Sequence, residues 1–195
     1  KYKKYCSHLN YISQDFCQYD GGTKLKNYGL QTGKFDTNNI DIVSDITNIP
    51  LPDNYFDSII CIEVLEHVPD PLAALKELTR LLKINGTLIL TIPFSSNVHM
   101  APYFYSTGFS SYWYEYHMPR LGYLIDKLEA NGNWHSLLYQ EVRRLGGVDR
   151  SNGNFLWPFA YILSLLLKIY LSLTRHHKSD RLACFGWQCV AHKIK

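Results

Sequence analysis

The sequence predicts an α/β fold, a largely parallel sheet flanked by helices, and three observations carry that reading. Asp70-Pro71 opens a helix in which Leu72, Leu75, Leu78 and Leu82 recur at helical spacing. Continuous apolar runs stand on either side of it, at 58–62 and 87–94, typical of strands covered on both faces. Strand, helix, strand with apolar strands implies a right-handed parallel crossover.

The remaining elements follow in chain order. Residues 10–15 read as a short strand ending in an acid, Asp15, and the polar stretch 19–39 as a loop or crossover. Residues 40–44 are a second strand, followed by Asp45. The prolines of Ile49-Pro50-Leu51-Pro52-Asp53-Asn54 remove backbone donors and make a turn. Residues 56–64 contain the first apolar strand. In the helix after it, Asp70 caps the first turn with Pro71 at the first position, and Asn85-Gly86 closes the end in a left-handed turn.

Beyond Phe94, residues 110–121 read as a helix stopped by Gly122, with Phe109, Tyr112, Trp113 and Tyr116 on its core face. Residues 123–129 read as a strand and Asn131-Gly132 as a turn. A helix capped by Asn133 follows, with Trp134, Leu137, Leu138, Val142 and Leu145 along one side. Residues 155–173 form a strongly apolar helix, and 185–192 alternate as a final edge strand.

Composition narrows the function. At 46% hydrophobic and 19% charged, the chain is globular rather than disordered, and 195 residues fit one domain. A net charge of +3 without a basic stripe argues against a nucleic-acid partner. Five cysteines, an odd number with no CxxC pair, suit a reduced cytoplasmic setting, and Cys61 in its apolar run reads as core. The apolar helix is only just long enough to span a bilayer, is interrupted by Pro158 and Lys168, and precedes a strand of the same sheet. Packing or self-association through 155–173 is therefore preferred. Peripheral membrane contact, with the basic residues from Arg175 to Arg181 beside head groups, is the alternative.

Ligands of open parallel sheets bind at the carboxyl ends of the strands. Asp15, Asp45 and Glu63 are delivered to that edge, and an acid there can accept hydrogen bonds from both hydroxyls of a ribose. The stretch Asp41-Ile-Val-Ser-Asp-Ile-Thr-Asn-Ile-Pro-Leu-Pro-Asp-Asn-Tyr-Phe-Asp57, then Glu63-Val-Leu-Glu-His-Val-Pro-Asp-Pro71, then Leu82-Lys-Ile-Asn-Gly-Thr-Leu-Ile-Leu-Thr-Ile-Pro93 closely resembles class I methyltransferases of the type 11 family. The resemblance implies a Rossmann-like sheet of order 3-2-1-4-5-7-6 with strand 7 antiparallel and helices on both faces. It implies S-adenosylmethionine as cofactor and a small-molecule, glycan or lipid-linked acceptor. One methyltransferase domain then covers 1–195, with 94–121 and 133–183 as substrate-side and accessory helical segments.

Residue by residue, the resemblance makes Asp15, with Phe16, the ribose-binding position and Asp45, with Ile46, the adenine-side position. Glu63 and Val64 match the positions under the methionine portion, and 93–102 the loop that faces the acceptor. The family's first strand and acid-x-Gly-x-Gly loop have no counterpart here, since residues 1–5 align with the helix after that loop. The expectation is a sheet lacking its central strand, and poor cofactor binding by these 195 residues. The competing class is a non-catalytic methyltransferase-like assembly module; a Rossmann dehydrogenase is disfavoured by the match over 63–71.

For chemistry, His99 in the acceptor-side loop is the first candidate base and His67 the second, since an imidazole near neutrality can take a proton from a hydroxyl acceptor. Tyr103, Tyr105 and Tyr114 are left as candidate walls of the acceptor pocket. No metal is expected. The spacing of Glu63, Glu66 and His67 gives a weaker alternative, a Mg2+ or Mn2+ site on one helical face.

Overall fold

A computed structural model describes residues 5–21, 30, 33, 35–174, 176 and 178–195. The predicted alignment of residues 1–4, part of the 19–39 loop, and Arg175 and His177 of the basic segment lie outside the described residues. The first strands are short: β1 is Gln14–Asp15 and β2 is Ile42–Val43, paired in parallel. Asp41 secures the pair by accepting from both the backbone nitrogen and the hydroxyl of Ser13, at 2.8 and 2.7 Å.

A second sheet carries the core. It comprises β3 (Phe56–Ile62), β4 (Leu82–Pro93), β5 (Tyr123–Asn131) and β6 (Gly186–Lys193), in the order β3-β4-β6-β5. β3 and β4 are parallel and joined through helix α1 (Pro71–Leu81), while β6 runs antiparallel to both β4 and β5. With β1 and β2 as family strands 2 and 3, this is the implied order, with no strand between β1 and β3 among the described residues. Asp70 caps α1 by accepting from the Ala73 nitrogen at 2.9 Å, as its position before Pro71 predicts.

Pairing registers show which way the sheet faces. Cys61, Leu90 and Cys189 align across three strands, as do Leu88 with Ala191 and Ile92 with Trp187, and all seven are buried. Residues directly opposite share a face. Leu75 and Leu78 of α1 and Tyr114 and Met118 of α2 (Ser111–Arg120) belong to the same buried cluster. The other face holds Ser58, Ile60, Thr91, Gln188 and His192, none buried, and Ile60 is 44% exposed. Among the described residues the core lies on one face, not two. The expectation that β3 is covered on both faces is corrected: its far face has no helix from the described residues against it.

Lys193 is buried and closes the base of α1. Its Nζ donates to the Thr79 and Leu82 carbonyls at 2.8 and 2.7 Å and to Asn54 Oδ1 at 3.1 Å, satisfying carbonyls the helix leaves unpaired. Helices α3 (Trp134–Ser151) and α4 (Trp157–Thr174) pack chiefly on each other. Asn133 caps α3 as predicted, accepting from the Ser136 nitrogen at 3.0 Å. A Cβ on Gly146 would stand 2.8 Å from the Tyr161 ring, so the glycine sets how closely the two helices approach.

Candidate active site

Chain direction places the site. β1, β2, β3 and β4 end on one rim, because the β1–β2 and β3–β4 pairs are parallel and the loop after β4 touches both. In that loop Tyr103 packs edge-on against Phe16, which follows β1, with ring centroids 4.9 Å apart. The Tyr105 nitrogen donates to the Glu66 carbonyl, beyond β3, at 2.9 Å. Gly108 holds the loop to β4: a Cβ there would lie 2.1 Å from the Pro93 oxygen. Three non-glycine residues on this rim, Cys17, Glu63 and Met100, take left-handed backbone angles of 53–55°. That conformation costs about 1–2 kcal/mol for an L-residue and clusters at functional sites.

Asp15 and Asp45 each serve a tight turn as well as facing the rim. Asp15 Oδ1 accepts from the Cys17 nitrogen at 2.7 Å. Asp45 Oδ1 accepts from the Thr47 nitrogen and hydroxyl, both at 2.8 Å. The Cys17 thiol also reaches the Asp15 carboxylate, so both acids are engaged by their own turns at the edge of the rim. Ile46 and Val64 pack, partly buried, against the core beside them.

The segment after β3 is a single 3-10 turn, Leu65–His67, rather than a longer helix. This corrects the proposed Glu63, Glu66, His67 trio. Glu63 precedes the turn in a left-handed conformation and its Oε1 accepts from Thr91 Oγ1 at 3.0 Å. Desolvation holds its carboxyl above the usual range, with the Thr91 bond pulling the other way. His99 replaces Glu63 in the cluster: one ligand-type atom from each of Glu66, His67 and His99 lies within 4.8 Å of the others.

The protons in this cluster follow from its partners. His67 Nδ1 meets the Tyr103 carbonyl at 2.5 Å and His99 Nδ1 the Asn97 carbonyl at 3.0 Å. A carbonyl only accepts, so both Nδ1 atoms carry hydrogen, and in the neutral tautomer that this selects the acceptor of each ring is Nε2. The rings stand edge to face, 4.6 Å apart. Glu66 is fully buried and, among the described residues, neither oxygen has a hydrogen-bond partner, nor does His67 Nε2. Burial pushes the Glu66 carboxyl up to about 8, the Glu63 charge adding to the effect, and burial holds the His67 imidazole below its ordinary value.

Of the predicted acceptor-side tyrosines, Tyr103 and Tyr105 sit in the rim loop, and Tyr105 is 52% exposed. Tyr114 is corrected. It is fully buried in the core, with its hydroxyl donating to the Trp187 carbonyl at 3.4 Å. The buried α2 face is therefore Ser111, Tyr114 and Met118; of the predicted face, Phe109 and Trp113 pack partly buried against the core, while Tyr112 and Tyr116 are exposed. Phe104, 5.1 Å from the His99 ring, joins the site without any sequence signal beyond its aromaticity. Glu66 as an isolated buried acid was likewise invisible, because its burial depends on the loop after β4.

Compared with known proteins, residues 7–90 match a family model described as a methyltransferase domain. A ubiquinone biosynthesis O-methyltransferase of Xanthomonas campestris pv. campestris (strain B100) is 56% identical over 36 residues, 18% of this chain and 15% of that protein. A demethylmenaquinone methyltransferase of Staphylococcus haemolyticus (strain JCSC1435) is 32% identical over 115 residues, 54% of this chain and 44% of that protein. Among solved structures, the cyclase SpnF overlays with a TM-score of 0.47 at 15% identity, covering 80% of this chain and 57% of that one. The chain spans less than half the length of the curated relatives it matches.

Proposed function

We propose, on the premise that residues 7–90 belong to the S-adenosylmethionine-dependent methyltransferase family, that this protein methylates a hydroxyl on a small-molecule, glycan or lipid-linked acceptor. The observation that carries the reading is the pair of imidazoles, His67 and His99, each tied by Nδ1 to a carbonyl and each keeping an Nε2 lone pair. A hydroxyl acceptor must lose a proton as its oxygen attacks, and a neutral imidazole at hydrogen-bond distance can take it. The name of one relative, an O-methyltransferase, supports the same acceptor atom.

The cofactor's residues fit the rim. Asp15 with Phe16 and Asp45 with Ile46 offer carboxylates and apolar surface to a nucleoside, and Glu63 with Val64 lie at the end of β3. When bound, S-adenosylmethionine supplies a methyl group already activated on a sulfonium. The chain's own work is then orientation and exclusion of water. Tyr103, Phe104 and Tyr105 wall the acceptor side, His99 Nε2 receives the proton, and His67 holds the loop through the Tyr103 carbonyl.

A second reading rests on Glu66. A buried carboxylate with no partner is neutralised either by a proton or by a cation. With two imidazole lone pairs beside it, the set suits a divalent metal that would bind the acceptor hydroxyl. Transfer of labelled methyl from S-adenosylmethionine to a panel of phenolic, sugar and amine acceptors tests both readings. Transfer to hydroxyls that falls at least about a hundredfold in His99→Ala supports the base. Loss on chelation, restored by Mn2+ at wild-type His99, supports the cation. Transfer to amines alone overturns the hydroxyl reading, and no transfer to any acceptor, with cofactor bound, supports a non-catalytic module instead.

A further inference from the structure

We propose that the α3–α4 hairpin seats this protein on an anionic phospholipid bilayer, with α4 lying in the interface and α3 on its watery side. This proposal is independent of the methyl-transfer reading. α4 has a mean hydropathy of 1.4 over 18 residues, yet only 17% of it is buried. Its buried positions, Ala160, Ser164 and Leu171, form one narrow strip toward α3. Phe159, Ile162, Leu166, Ile169, Tyr170 and Leu173 are each 56–76% exposed. With Tyr161, Leu163, Leu165 and Leu167, each 37–57% exposed, the exposed positions sweep an arc of about 240° at 100° per residue. Of the helix's polar residues, Ser164 and Lys168 fall on the remaining side and Ser172 at the edge of the arc.

The width of that arc chooses the occupant. A second copy packing along α4 covers a stripe of roughly 100°, as helix-to-helix contacts do, and would leave more than half of the apolar surface in water. A bilayer covers all of it. Crossing the bilayer is excluded by connectivity: β5 precedes the hairpin, β6 follows it, and the two pair with each other. α3 cannot follow α4 into hydrocarbon, because Glu141, Arg143, Arg144, Asp149 and Arg150 lie along it. The hairpin therefore lies flat.

Charge points to acidic head groups. Residues 133–183 hold seven Lys and Arg against three Asp and Glu, a net +4, whereas the whole chain is only +3. The Arg150 guanidinium sits over the Trp157 ring at 5.3 Å, joining a cation to an interfacial aromatic at the start of α4. His176 and Lys178 are exposed just past its other end. A depression of about 450 Å³ between the helices, lined by Leu145, Phe159, Leu163 and Leu166, offers room for an acyl chain.

The test is co-sedimentation of the full chain with phosphatidylcholine vesicles, alone or containing phosphatidylglycerol, beside sedimentation velocity without lipid. The expected result is binding to the phosphatidylglycerol vesicles that weakens as salt is raised and falls at least about tenfold in Leu166→Asp/Ile169→Asp. Circular dichroism identical to the parent shows that the variant folds, and Arg143→Gln/Arg150→Gln supplies a second, non-disruptive arm. Failure to bind phosphatidylglycerol vesicles overturns the proposal. So does a dimer in solution that the aspartate variant dissolves while vesicle binding persists.

Discussion

His67 Nε2 lies 3.6 Å from Glu66 Oε1, and neither atom has a hydrogen-bond partner among the described residues. Two acceptors face each other in a buried place, an arrangement that is stable only if a proton or a cation sits between them. The predictions about the site start from that pair.

In chelator, Glu66 makes the protein less stable as pH rises. Its folded value, raised to about 8 by burial, is above the unfolded one, so the folded state holds the extra proton. That contribution is complete below the unfolded value and is lost as pH climbs through 8. His67, held low by burial, acts in the opposite sense below about pH 6.5. Urea unfolding between pH 6.5 and 8 should therefore show a loss of about 2 kcal/mol that disappears in Glu66→Gln. A flat profile in the parent would mean that Glu66 is ionised and balanced throughout.

Asp45→Asn separates cofactor binding from turn capping. The amide keeps an oxygen for the Thr47 nitrogen and hydroxyl but gives up the charge. Affinity for S-adenosylhomocysteine, measured by calorimetry, should fall about tenfold with thermal stability unchanged. Equal affinity in the two proteins would leave Asp45 with the turn alone.

Lys193→Met should destabilise the fold by about 1–3 kcal/mol in urea. It strips the Thr79 and Leu82 carbonyls of a buried donor, while the methionine fills the space. Since Lys193 lies at the opposite end of the strands from the rim, affinity for S-adenosylhomocysteine should not change.

Gly146→Val should open the hairpin without melting the sheet. The new side chain meets the Tyr161 ring, and overpacking of that kind costs about 1–3 kcal/mol. Limited proteolysis should cut faster around 152–156, with the midpoint of sheet unfolding little changed.

What was legible in the sequence divides by the range of the interactions involved. The α1 cap and the strands on either side of it were readable, because Asp70-Pro71 and the apolar runs act locally, whereas the order of the sheet came only from the resemblance to the type 11 family. The α2 face was readable only in part, since Phe109 and Trp113 pack on the core but Tyr112 and Tyr116 do not. Residues 112, 113, 114 and 116 are all aromatic, so hydrophobic periodicity cannot say which points inward, and contact with Trp187 across 73 positions decides for Tyr114. His67 and His99 were found by residue type, but their convergence depends on the loop after β4 folding back over the turn at Leu65–His67. The same loop buries Glu66. Glu63 leaves the trio because the backbone turns left-handed at that residue, where helical spacing requires a right-handed turn.

The β1–β2 pair shares no ladder with the larger sheet among the described residues. The loop 94–105 touches both, through Tyr103 on Phe16 and through the backbone of Tyr105 on Glu66. It thus acts as the mechanical linkage of the molecule. A displacement that draws Tyr103 away from Phe16 also pulls on the carbonyl that sets the His67 tautomer, so grip on the nucleoside and readiness to take a proton rise and fall together.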